Sequence, residues 1–141
     1  MTPPKLPKFL NTVAPILVDN TAITSTAVDT LGFHYARFIF AFGVMDIAMT
    51  VVPKVTHCST SGGTYADITG AAVVTLPVET DDGLLYVIDV ALDGTERYLK
   101  AAGTMDDGAL GNNICVICEL YRADITLNTA TGAGLDEYID V

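Results

Sequence analysis

Cys115 and Cys118 are the nearest thing to metal chemistry in this chain. Two thiols at C-x-x-C spacing grip zinc when a turn brings both sulfurs to one side. Here the surrounding residues, NICVICELYR at Asn113–Arg122, read as a strand, and strand positions three apart face opposite ways. His57 and Cys58 could add two ligands, but adjacent strand residues also diverge. Three cysteines is an odd number, so a complete disulfide framework is excluded. Cys58, Cys115 and Cys118 are therefore expected as reduced, metal-free, buried thiols.

Nucleophilic chemistry needs a base beside a Ser or Cys. His34 and His57 are the two histidines. His34 lies in an aromatic strand, which suits a packed or interface side chain. Ser59, Ser61 and the Gly62-Gly63 pair near His57 are loop formers. The Gly-x-Ser-x-Gly elbow and the phosphate-binding Gly-x-x-x-x-Gly-Lys-Ser/Thr loop do not occur. Asp81-Asp82 and Asp106-Asp107, each followed by Gly, could donate oxygens to calcium if they met in space. As solvated turns they would simply keep the protein soluble. The expectation is a protein without an active site or cofactor.

Charge narrows the partners. Seventeen Asp and Glu stand against seven Lys and Arg, a formal charge of -10 over 141 residues. Phosphate binding needs clustered Lys and Arg, so no nucleic-acid partner is expected. Met1–Asn11 holds three prolines and no continuous apolar run, unlike a secretory signal. The longest apolar run, Phe38–Met45, stops at Asp46, too short for a membrane helix. Half the residues are apolar, ample for the core of one domain.

The elements that must position these residues are strands. Thr21–Val28, Phe33–Phe42, Ile47–Val55, Tyr65–Thr69, Ala72–Pro77, Leu84–Leu92, Glu96–Ala102 and Asn113–Arg122 are β-branched, aromatic or alternating. His57–Thr64, Thr80–Gly83 and Met105–Asn113 are the loops and turns between them. Asp93-Gly94 between two alternating runs predicts a hairpin. In Phe33–Phe42 one side carries Phe33, Tyr35, Arg37, Ile39 and Ala41, the other His34, Ala36, Phe38, Phe40 and Phe42. Both sides are largely apolar toward its end, the pattern of a strand covered on both faces. Short strands separated by turn signals predict an all-β, single-domain sandwich, jelly roll or small barrel. Phe38, Phe40, Ile88, Val90, Leu99, Val116 and Cys118 are its expected core. Pro3, Pro4 and Pro7 stiffen an extended N-terminal arm over residues 1–11. The sandwich domain spans 12–122, and 123–141 is an acidic C-terminal tail.

Four segments carry a resemblance. Leu31–Gly43 reads LGFHYARFIFAFG, Tyr65–Gly70 reads YADITG and Arg97–Lys100 reads RYLK, and the apolar Ile114–Leu120 closes the run. In order and spacing this resembles a family of small β-rich virion proteins encoded among the head genes of tailed bacteriophages. The likeness covers Leu31–Arg122. The chain departs from the family pattern before Tyr65, where relatives carry a loop rich in Gln, Ser and Asp and this chain has HCSTSGGT. Membership implies a jelly-roll-like capsid decoration, or cement, protein. It would be made in the host bacterial cytoplasm and sit on the outer surface of the virion capsid. As a homodimer or homotrimer it would clamp capsomers of the major capsid protein. Lys5, Lys8, Phe9 and Leu10 are then the candidate partner-binding residues, lysines for acidic groups and apolar anchors beside them. No membrane partner is implied. The alternative is a carbohydrate- or receptor-binding sandwich of a fibre or other virion appendage. The lack of Trp and the concentration of aromatics in Phe33–Phe42 count against it.

Overall fold

The computed structural model describes residues 7–123. Their strands are β1 (Lys8–Val18), β2 (Val28–Asp29), β3 (Phe33–Phe42), β4 (Met49–Cys58), β5 (Ala66–Ala72), β6 (Leu85–Ala91), β7 (Tyr98–Met105) and β8 (Asn112–Ala123). They form two four-stranded sheets, β1-β8-β3-β6 and β2-β7-β4-β5, with antiparallel pairing throughout. The fold is an all-β sandwich.

The pairing has a simple logic. β4 pairs with β5, β3 with β6, β2 with β7 and β1 with β8, as if the chain were doubled back at residues 59–65 into one long ribbon. Successive pairs fall alternately into the two sheets, which is the strand arrangement of a jelly roll. Alternation then sorts the side chains. Ala36, Phe38, Phe40 and Phe42 of β3 point inward, as do Ile88 and Val90 of β6 and Ile114, Val116, Cys118 and Leu120 of β8. From the other sheet come Met49, Val55, Leu99, Ala101 and Met105. All the expected core residues are buried, Ile88 the most exposed of them at 8%.

Several expected elements are corrected. Asp93-Gly94 is a turn, but not a hairpin: β6 pairs with β3, and β7 with β4 and β2. Thr95 donates its N–H to the Leu92 carbonyl, and of the two central residues only Gly94 has positive φ, at 87°. The two-residue turns that match strand twist need positive φ at the first central residue, here Asp93; positive φ at the second alone is the pattern of a type II turn, which splays the flanking strands. The turn instead carries the chain from one sheet to the other.

Thr21–Val28 is mostly not a strand. It runs beside β7, with Ile23 donating to the Gly103 carbonyl and the Thr21 carbonyl accepting from Met105. At Ser25 the side-chain hydroxyl takes the Ala101 N–H, replacing a ladder bond. Of the two short strands expected around Gly70, the first forms and runs on through Gly70 to Ala72 as β5, with a register shift beside Gly70, whose φ is 81°; the second, expected at Ala72–Pro77, does not form beyond Ala72 and is part of the connection to β6. β4 continues through His57 and Cys58, which had been expected in a loop. β8 begins at Asn112, so the preceding loop is shorter than expected.

The arm boundary also moves. Lys8, Phe9, Leu10 and Asn11 stand opposite Leu120, Glu119, Cys118 and Ile117. After Pro7 every residue up to Ala14 has a backbone donor, and Leu10 brings an apolar side chain to the core. Residues 8–11 are therefore sheet. Pro15 falls within the second register shift of this edge strand, between Val13 and Ile16, where a missing donor is tolerated. Residues 1–6 of the expected arm, and the tail from residue 124 on, lie outside the described residues.

Candidate functional site

The residues first singled out for chemistry do not converge. Cys118 points inward and is buried; Cys115 points outward and is half-buried. Burial, with a smaller contribution from the Glu119 charge, pushes the Cys118 thiol up to about 12. Cys58 lies on the other sheet, its Sγ 3.9 Å from Thr60 Oγ1. His57 Nδ1 accepts the Glu96 N–H at 3.1 Å and so braces the β6–β7 crossing against β4. His34 lies at the surface at the start of β3. Among the described residues, no three His, Cys, Asp or Glu side chains gather at metal-binding distance.

The acidic turns are tied into the loops. Asp82 Oδ1 accepts the Met45 N–H at 2.7 Å, and Asp81 Oδ2 accepts the Val78 N–H at 2.9 Å. Asp106 Oδ1 takes the Asp107 N–H, Asp19 Oδ1 the Gly108 N–H and Asp46 Oδ2 the Leu110 N–H. Sequence reading missed the residue that anchors this network. Asn112 is fully buried; its Oδ1 accepts from Asp46 and Ile47, and its Nδ2 donates to the Ile47 carbonyl at 2.7 Å. The only signal was an Asn placed immediately before an apolar strand.

The connections β1–β2, β3–β4, β5–β6 and β7–β8 thus meet at one end of the sandwich. Gly83 donates to the Gly43 carbonyl and Met49 to the Pro77 carbonyl, closing the cluster. This end displays apolar side chains: Val44, Leu76, Val78, Leu84 and Leu110 are all exposed.

The candidate partner-binding residues separate. Lys5 lies outside the described residues. Leu10 packs against the core. Phe9 stands opposite Glu119. Lys8 acts on Asp29, whose carboxyl is held below its ordinary range chiefly by Arg97, which donates to both oxygens; the Leu31 N–H and then the Lys8 charge add to this against a smaller opposing effect of burial. Lys8, Phe9 and Leu10 therefore belong to strand β1 and not to a free extended arm.

The outer face of the β1-β8-β3-β6 sheet is more coherent. At one end Arg37 bridges Asp89 at 2.8 Å and Glu119 at 3.4 Å, and its guanidinium lies 5.3 Å from the Tyr121 ring. Tyr121 stacks on Tyr35, over which sits Arg122. Beyond this row the face loses all charge. Ile117, Ile39 and Val87 stand side by side across three strands, followed by Cys115, Ala41 and Leu85. Leu85 is 65% exposed and Val87 51%. A groove of about 380 Å³ continues the apolar surface toward Pro15, Ile16 and Leu17. The opposite sheet presents a different face, with Lys54 paired to Asp67 at 2.7 Å and Lys100 over the Tyr65 ring.

Comparison with protein-family models, with curated proteins and with solved structures finds no match for this chain.

Proposed function

We propose that this chain is a structural virion protein, a cement protein that decorates the outer capsid surface of a tailed bacteriophage and bridges capsomers of the major capsid protein. It acts by binding, not by catalysis. The resemblance over Leu31–Arg122 suggests the setting. The observation that carries the reading is the apolar loop end: five large side chains exposed on loops that are cross-tied by carboxylate–amide bonds. Exposed apolar groups grouped this way mark interaction surfaces. Loops held rigid before binding lose little entropy on docking, so a small apolar tip can bind well. A jelly-roll body behind that tip supplies a stiff spacer.

The test is to add purified protein to phage heads that lack it. Saturable binding at many copies per head, with a raised temperature of head disruption, supports the reading. Absence of binding contradicts it. Binding to defined sugars on a glycan array, with none to heads, assigns the chain to an appendage instead. Val44→Asp with Leu110→Asp should weaken head binding while leaving the far-UV circular dichroism spectrum unchanged.

A further inference from the structure

We infer that two copies of this chain pack face to face through the outer surface of the β1-β8-β3-β6 sheet, centred on Ile39, Ala41, Val87, Cys115 and Ile117. The inference stands on the charge pattern and geometry of this face, and holds whether or not the chain decorates a capsid.

Charge selects the occupant. A chain of net charge -10 repels its own copies over most approaches. The Ile39 and Ala41 rows of this face carry no ionisable carboxylate or amine, so copies meeting there bring no like charges together. At the margin, Arg37 is already paired within its own chain to Asp89 and Glu119, and so calls for no acidic partner. A basic partner would be met by acidic residues across the interface; this face offers neutral, β-branched and aliphatic groups, which suit an identical surface.

Area agrees. Four strands spaced about 4.8 Å apart, read over the seven residues from Tyr35 to Ala41 at about 3.4 Å each, give a plane of roughly 19 by 24 Å. Side-chain relief and the adjoining groove at Pro15–Leu17 extend this toward the ~500 Å² per partner that a specific interface requires. The packing mode is the one the molecule already uses inside itself, sheet on sheet. It also accounts for the sequence of β3, which has apolar residues on both sides near its end although the monomer covers only one of them.

Sedimentation or light scattering on the full chain tests this. Wild type should have twice the mass of one chain. Leu85→Glu with Val87→Glu, both at exposed positions, should have the mass of one chain with an unchanged circular dichroism spectrum. Thr104→Glu, on the opposite sheet's outer face, should remain a dimer. Added salt should strengthen the wild-type dimer by screening repulsion, whereas an interface made of ion pairs would weaken. Should the charged double variant fail to fold, wild type alone decides: maleimide labelling of Cys115 should slow as protein concentration rises, with Cys58 labelling unchanged. Wild type that stays monomeric at concentrations on the order of 100 μM overturns the inference. So does a charged variant that stays dimeric, a Thr104→Glu variant that falls apart, or a trimer, which two-fold sheet stacking cannot form. If wild type is monomeric and the charged variant loses head binding, the face belongs to the capsid protein and the inference fails.

Discussion

Asn112 shows how much one polar side chain can organise. It satisfies two amides and a carbonyl of the β3–β4 connection from a fully buried position. Asn112→Ala leaves those groups without partners and should lower unfolding free energy by roughly 2–4 kcal/mol, measured by urea titration. Cys118 makes a second residue-scale prediction. Its folded pKa, about 12, lies above its ordinary value of 9.0. Its contribution to stability is therefore whole below about pH 9 and is lost as the pH rises from there toward about 12. Tyr86 and Tyr121 are raised in the same direction by burial. Cys118→Val should therefore flatten the alkaline loss of stability without abolishing it, and thiol reagents should modify Cys58 and Cys115 before Cys118. The opposite facing of Cys115 and Cys118 was legible in their spacing. The role of Asn112 was not, because it depends on a loop sixty-odd residues away in the chain.

At the scale of elements, strands with regular alternation were readable and their partners were not. Phe33–Phe42 and the apolar run of β8 declare their inward faces by periodicity alone. Ile88 and Val87 make the sharpest check, being adjacent on β6 with one inside and one outside. Ile88→Asp buries an unpaired charge and should cost several kcal/mol or prevent folding, whereas Val87→Asp should keep the native far-UV spectrum. Asp93-Gly94 was legible as a turn. That it links two sheets depends on the backbone at Asp93 and on the pairing of β6 with β3, which local sequence does not encode. The N-terminal boundary has a practical consequence. Deleting residues 1–10 removes Lys8–Leu10 and strips Cys118–Leu120 of β8 of their β1 partner, leaving only β3 beside them. This deletion should lower the melting temperature, while deletion of residues 1–7 leaves every residue of β1 in place and should lower it less.

At the scale of the whole molecule, the ribbon pairing puts the ends of the described chain side by side, with Lys8 opposite Leu120. The loops then gather at the two ends of the sandwich, and one end becomes an apolar tip. Half the residues are apolar, which composition alone assigns to a core without saying how much would lie outside it or where. The location of the exposed apolar surface emerges once the sheets are assembled: part on the tip, part on the outer face of one sheet. On the proposed reading, a cement protein needs both a surface for the shell and a means of bridging subunits, and the inferred dimer with two apolar tips would provide them together. The proposed cement role is tested most directly by the molar ratio of this protein to the major capsid protein in purified, intact tailed-phage virions assembled in cells that express it. A fixed ratio with many copies per head is predicted. Its absence from virions, or a few copies confined to the tail or a single vertex, would contradict the assignment.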